Sequence, residues 1–320
     1  MGLKEKGCNC PCRLAFGTVA ALISQLKVIF DESGRSSDWV EYGLVQYGNP
    51  VCSLIVQRYL EAIKLEQAKA HVPVKQAKPL FLDKLKLIVV HISNSLKDES
   101  LSEGKRFVML RDRAFFTLQF FAGDRANDLG QCLTQEIKSI PNGDGLLFRH
   151  TFGKTLRGGK VNEFLISSVK DKDLCPIQNL KIYVSEAEKM GIDLSTGFVF
   201  RTLDPSHSKV LESPVSSSGM GLRLQGYLKV VGIFEGETIH GIRGGCAITL
   251  MSKGVANSHD VMEHIGWFSK SSLDRYSRMN KIVDSSSVSQ IFATSAESNL
   301  SETGNLNKRF GDFSNLPNAF

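Results

Sequence analysis

The sequence predicts an α+β fold, mainly α, in which a helical N-terminal unit precedes a larger domain with a small antiparallel sheet. Three observations predict it. Apolar residues recur at helical spacing along most of the chain. One stretch, residues 145–166, switches to strand-like segments about a glycine turn. A segment with two prolines and little periodicity, from Lys69 to Pro79, separates the two parts.

Val19, Leu22, Ile23, Leu26 and Ile29 define the first helix, from Phe16 to about Phe30. A polar break at residues 31–35 and a short segment around Trp39 follow. Asn49-Pro50 opens a second helix carrying Leu54, Ile55, Arg58, Tyr59, Ala62 and Ile63. The expected units are a helical one at 1–70, a linker at 71–79, a larger domain at 80–283 and a mobile Ser/Asn-rich tail at 284–320. The larger domain opens with a helix through Leu82, Leu85, Val89 and Ile92. A long apolar helix through Phe107, Ala114 and Phe121 follows and ends at Gly123. Asp124 is a candidate cap for a short helix after it. Residues 145–152 and 161–166 then flank the turn 157–160 as a hairpin. Cys175-Pro176 starts another helix, Phe198-Val199-Phe200 reads as a short strand, and 204–217 reads as a polar loop. Three further helices are expected in 218–280, broken at Gly236, Gly254 and Gly266.

A net charge of +6 and a pI near 8.9 favour a polyanionic partner only mildly. No apolar run approaches the roughly 18–20 residues that span a bilayer, so no membrane partner is expected. The opening MGLKEKG lacks the apolar core of a signal peptide. Cys8, Cys10 and Cys12 alternate rather than forming a C-x-x-C knuckle and have no nearby His. The seven cysteines are expected to be reduced thiols of an intracellular protein, with no metal site among them.

Four places carry chemistry. His240 and Arg243, three apart on a helix, lie on one face and suit an anion whose charge grows in a transition state. By composition alone such a pair arises about 0.3 times in this chain, so an ordinary surface pair competes. Arg125 follows the long buried helix, a rigid platform, and Asp128 three residues on is placed to hold its guanidinium; a plain i,i+3 ion pair is the alternative. Lys154 sits where the hairpin turns and suits protonation of a leaving hydroxyl, while Arg149, Arg157 and Lys160 make the hairpin basic, either for a phosphate backbone or as solvated charge. Finally, Trp267 has an N–H for a phosphate oxygen, and Tyr276 is a phenol that cations would have to activate; packing is the commoner fate of both. His264 reads as structural.

Taken in order, Arg125, Lys154, His240-x-x-Arg243, Trp267 and Tyr276 resemble the active-site series of the tyrosine recombinases. The resemblance covers about residues 80–282. Each motif is weak alone; five in the right order on suitable elements are specific. The N-terminal pattern (GTVAALISQLKVIF, the GNP step and HVPVKQAKPLF) is similar to eukaryotic mobile-element recombinases of the Crypton type. There a helical core-binding domain and the catalytic domain clamp duplex DNA, and the N-terminal unit here is short for that role and expected to be a truncated copy. Two departures stand out: Trp267 replaces the commoner His, and Asp128 the commoner Glu.

The resemblance implies a site-specific recombinase or integrase acting through a 3′-phosphotyrosine at Tyr276. Arg125, Arg243, His240 and Trp267 would bind the phosphate and Lys154 would protonate the 5′-oxygen. It also implies no metal, cofactor or ATP in the reaction, double-stranded DNA as partner, a homo-oligomer assembled on DNA, and nuclear residence. Val288, Ile291 and Phe292 in the tail are a candidate helix for docking on a neighbouring protomer. A type IB topoisomerase, a silent DNA-binding relic and an ordinary basic interaction protein are the competing readings.

Overall fold

A computed structural model describes residues 14–35, 38–71, 77–140, 145–153, 156, 159–252, 258–267, 269–270 and 273. The chain divides into two compact units, Met1–Gln76 and Ala77–Phe320.

In the first unit, helix α1 (Phe16–Glu32) and helix α2 (Leu54–Lys69) are tied together by side-chain amides. At one end Gln67 accepts from the Phe16 amide at 2.9 Å and donates to the Leu14 carbonyl at 3.1 Å. At the other, buried Asn49 donates to the Lys27 carbonyl and to Asp31, and accepts from the Val51 amide. Asn49 thereby caps a 3₁₀ turn at Pro50–Cys52, and α2 begins only at Leu54. The segment around Trp39 leads into a hairpin that the sequence reading did not anticipate, strand β1 (Val40–Tyr42) paired with β2 (Val45–Tyr47) across Gly43, whose φ is +59°.

The second unit is built around helix α4 (Glu103–Ala122), which follows α3 (Leu82–Ser95). Ser102 caps α4 by accepting from the Lys105 amide, and fourteen of its residues are buried, Phe107, Phe115, Phe116 and Leu118 among them. Such all-round burial marks a central core helix rather than an amphipathic surface one. It ends at Gly123 in the left-handed conformation, φ +60°. A short helix α5 (Ala126–Gly130) follows, and its N-cap is Arg125, not Asp124 as expected. The Asp124 carboxylate instead accepts from the Arg125 amide at 2.8 Å.

Next comes a three-stranded antiparallel sheet in the order β3 (Ile137–Ser139), β4 (Gly145–His150) and β5 (Asn162–Ser167). The β4–β5 pair is the expected hairpin; β3 adds an edge too short to show alternation. Leu146, Phe148 and His150 alternate onto the buried face of β4. Helix α6 (Pro176–Lys189) packs Leu180 and Tyr183 into the core. The Phe198–Phe200 strand is displaced: these residues form only a bridge to Leu133, and the strand β6 is Arg201–Leu203. It pairs with β7 (Val210–Pro214), inside the stretch expected to be loop. Asp204 makes this turn by accepting from the amides of Ser208 and Lys209.

Helices α7 (Ser217–Val230), α8 (Ile239–Ser252) and α9 (Ser258–Ile265) complete the described unit. Gly236 and Gly266 lie at the expected breaks with positive φ, whereas Gly254 and the tail are outside the described residues. Among the described residues, no helix is long and apolar enough to cross a membrane.

Candidate active site

The site is organised by the backbone turn 123–128, where α4 stops. A left-handed residue is needed there, and the space is tight: a Cβ on Gly123 would lie 2.8 Å from Ile265 Cγ1 on α9 and 3.0 Å from Cys246 Sγ on α8. Glycine therefore lets α8 and α9 close on the end of α4. Arg125 follows at once. Its Nη1 donates to Asp128 Oδ2 at 3.1 Å, and its side chain is 25% exposed while that of Asp128 is buried. Burial and the nearby Asp124 push the Asp128 carboxyl up, and the charges of Arg125 and Arg243 only partly offset them.

Arg243 enters the same turn from α8. Its Nη1 donates to the Gly123 carbonyl oxygen at 2.8 Å, and the residue is only 1% exposed. Its guanidinium carbon lies 5.4 Å from the centre of the Trp267 ring. That ring is buried with Cys246, Ala247, Val261, Ile265 and Leu273. So Trp267 packs, and what it packs is the second arginine. His264 lies with Nε2 2.7 Å from the Phe121 carbonyl, in the structural role expected of it. His240, by contrast, is exposed on the first turn of α8. It shares a helix with Arg243 but not its burial.

The hairpin arrives from the other side. A Cβ on Gly153 would lie 3.1 Å from Asp128 Oδ2, so the backbone just before Lys154 runs against the Arg125–Asp128 pair. A small cavity joins Asp124, Arg125 and Asp128 to His150, Asn162 and Gly266. Lys154, Arg157 and Tyr276 lie outside the described residues. Arg149 is exposed and paired with Glu163 across the strands at 3.0 Å, and Lys160 is exposed in the connection just before β5.

Sequence reading missed a buried polar cluster beneath Arg125. His150 Nε2 stands 2.8 Å from Asp124 Oδ2, and its Nδ1 stands 4.0 Å from Glu136 Oε2. Burial works against the imidazolium, but Asp124 and the charges of Glu136 and Asp128 outweigh it and hold His150 above the usual histidine range. Cys132 lies beside them, its thiol pushed well up by burial and by the charges of Glu136 and Asp124. The signal was present in the strand: His150 falls on the same alternation as Leu146 and Phe148.

Comparison with known proteins follows the same lines. XerH site-specific recombinase bound to palindromic difH substrate, in a post-cleavage complex, superposes with a TM-score of 0.54 at 15% identity, covering 84% of this chain and 71% of that one. The fold is tyrosine-recombinase-like. The Tn1549 transposon integrase in complex with circular intermediate DNA matches at 12% identity with a TM-score of 0.42, covering 85% of this chain and 84% of that one. The ALOG domain family matches residues 2–65. No curated protein matches the chain by sequence.

Proposed function

We propose that this chain is a DNA strand transferase of the tyrosine-recombinase type, acting as a site-specific recombinase or integrase. One observation carries the reading: a single backbone turn, 123–128, holds Arg125 through Asp128 and anchors Arg243 through the Gly123 carbonyl. Two guanidinium groups fixed on one turn are the provision needed for the charge that grows on a phosphate under attack. Tyr276 Oη would attack the backbone phosphorus, forming a 3′-phosphotyrosine, while the bond to the 5′-oxygen breaks. Arg125, the more exposed cation, would meet the non-bridging oxygens first, with Arg243 deeper. His240 and Trp267 would complete the hydrogen bonds, and Lys154, the residue after Gly153, would protonate the departing 5′-oxygen. Attack by a different 5′-hydroxyl reverses the steps and exchanges strands, so the phosphodiester energy is kept and ATP is not required.

The partner is double-stranded DNA, met by Arg149, Arg157 and Lys160 on the hairpin, and strand exchange takes place in a homo-oligomer assembled on it. The N-terminal pattern supports a Crypton-type lineage and hence work in a nucleus. The test is trapping on nicked suicide DNA. The native chain is expected to yield a covalent protein–DNA band that Tyr276→Phe lacks. No adduct on any DNA, from folded protein that still binds DNA with a salt-sensitive affinity, would leave a silent DNA-binding relic. Relaxation of supercoiled DNA by a lone protomer without a preferred site would instead favour the topoisomerase reading.

A further inference from the structure

The cluster beneath Arg125 has the composition and layout of a metal site, and we infer that Cys132, Glu136 and His150 bind a zinc ion. One donor atom from each lies within 4.8 Å of the others, and all three residues are buried. A thiol, an imidazole and a carboxylate together select a borderline-soft divalent ion such as zinc over magnesium or calcium, which take oxygen. Bonds of about 2.0–2.3 Å put tetrahedral ligands roughly 3.3–3.8 Å apart, so the donors need to draw in by up to about an ångström.

The surroundings support this beyond mere proximity. His150 Nε2 stands 2.8 Å from Asp124 Oδ2 but off the line of a hydrogen bond, so a small turn of the ring would let this carboxylate fix the tautomer of a metal-binding imidazole. That leaves Nδ1 as the ligand, and it stands 4.0 Å from Glu136 Oε2, too far for a hydrogen bond and near the spacing of two ligands on one ion. Glu136 is itself held: Oε1 accepts from the amide and hydroxyl of Thr151, and Oε2 accepts from the Leu133 amide at 3.0 Å. A carboxylate oxygen has two lone pairs, so Oε2 keeps one for a metal.

The role would be structural. Cys132 follows α5, Glu136 precedes β3, and His150 ends β4, so one ion would staple these three elements under the turn that holds Arg125. It would not touch the phosphate, and the inference stands apart from the strand-transfer reading.

The test uses full-length protein in which Cys8, Cys10 and Cys12 are serine, so that the N-terminal thiols cannot supply the metal. Cobalt(II) is titrated as the probe, followed by zinc. One equivalent of cobalt is expected to give a thiolate charge-transfer band and the ligand-field bands of a four-coordinate ion, the three side chains being completed by a water. Zinc should displace it and raise the melting temperature by about 5 °C or more. Cys132→Ala should lose both signals; if that variant does not fold, retention of the bands in Cys52→Ala, Cys175→Ala and Cys246→Ala assigns the thiolate to Cys132. Absence of the charge-transfer band in the folded parent, or its persistence in Cys132→Ala, overturns the site. Adduct formation by Tyr276 on suicide DNA is read separately and tests the other proposal.

Discussion

The Nη1 of Arg243 donates to the carbonyl oxygen of Gly123 at 2.8 Å, across 120 residues of sequence. Gly123 is also the left-handed residue at which α4 ends, two positions before Arg125. One glycine thus sets the positions of both arginines. Gly123→Ala must place a side chain at φ +60° and push aside Ile265 and Cys246. Left-handed strain and overpacking together should cost about 2–4 kcal/mol. Urea denaturation measures this. Unchanged stability would mean that α8 and α9 do not close on this turn.

Trp267 separates packing from hydrogen bonding. The ring lies against Arg243 and inside a buried cluster. Trp267→Phe keeps an aromatic face and removes the N–H, so it should hold the fold and keep adduct formation within about tenfold of the native rate, a difference of roughly 1.4 kcal/mol. Trp267→Ala should cost about 3–5 kcal/mol by leaving a cavity. A rate equal to the native one would remove the indole N–H from phosphate binding, and a loss well beyond tenfold with stability intact would make it worth more than one neutral hydrogen bond.

Much of this architecture was legible in the sequence because long helices announce themselves by period and by their stops. The buried length of α4, its end at Gly123 and the β4–β5 hairpin follow from apolar spacing and glycine. The short strands did not announce themselves. Residues 137–139 are too few to alternate, and β7 is carried by a turn that Asp204 shapes through backbone amides rather than by apolar pattern. Within the site, the i,i+3 spacing of Arg125 and Asp128 foretells their contact. Nothing local foretells that Arg243 reaches Gly123, since that contact is made by the folding of α8 onto α4. Spacing also does not separate an exposed His240 from a buried Arg243.

Asp128 carries a testable cost. Its folded carboxyl is held above the ordinary range, chiefly by burial and by Asp124. The sign follows: its contribution to stability is present below pH about 4 and lost as pH rises through the raised folded value. Asp128→Asn removes that loss. The variant should therefore melt higher than the native chain near neutral pH, and the two should converge in acid. Its adduct rate should fall roughly tenfold or more, because a charge-assisted bond to Arg125 worth about 1.5 kcal/mol or more becomes a neutral one. Thermal melts across pH, with trapping assays at neutral pH, check both arms. A variant less stable than the native chain at neutral pH would contradict the first.

The segment that enters the second unit bears directly on α8. The Leu80 amide donates to the Gly241 carbonyl at 2.9 Å, and Lys78 bridges to Glu237. Gly241 and Gly245, one helical turn apart, face this segment, and a Cβ on them would lie 2.2 Å from the Lys78 oxygen and 1.8 Å from the Leu80 oxygen. Neither neighbour is a flexible side-chain tip; both are backbone, so Gly245→Ala must move the segment or the helix. The expected loss is about 3 kcal/mol or more. Because α8 carries Arg243 as well, adduct formation should fall further than the loss of folded protein explains, and proteolysis after Lys78 should quicken. Native stability in Gly245→Ala would show that residues 78–80 do not run against the helix that supplies the second arginine.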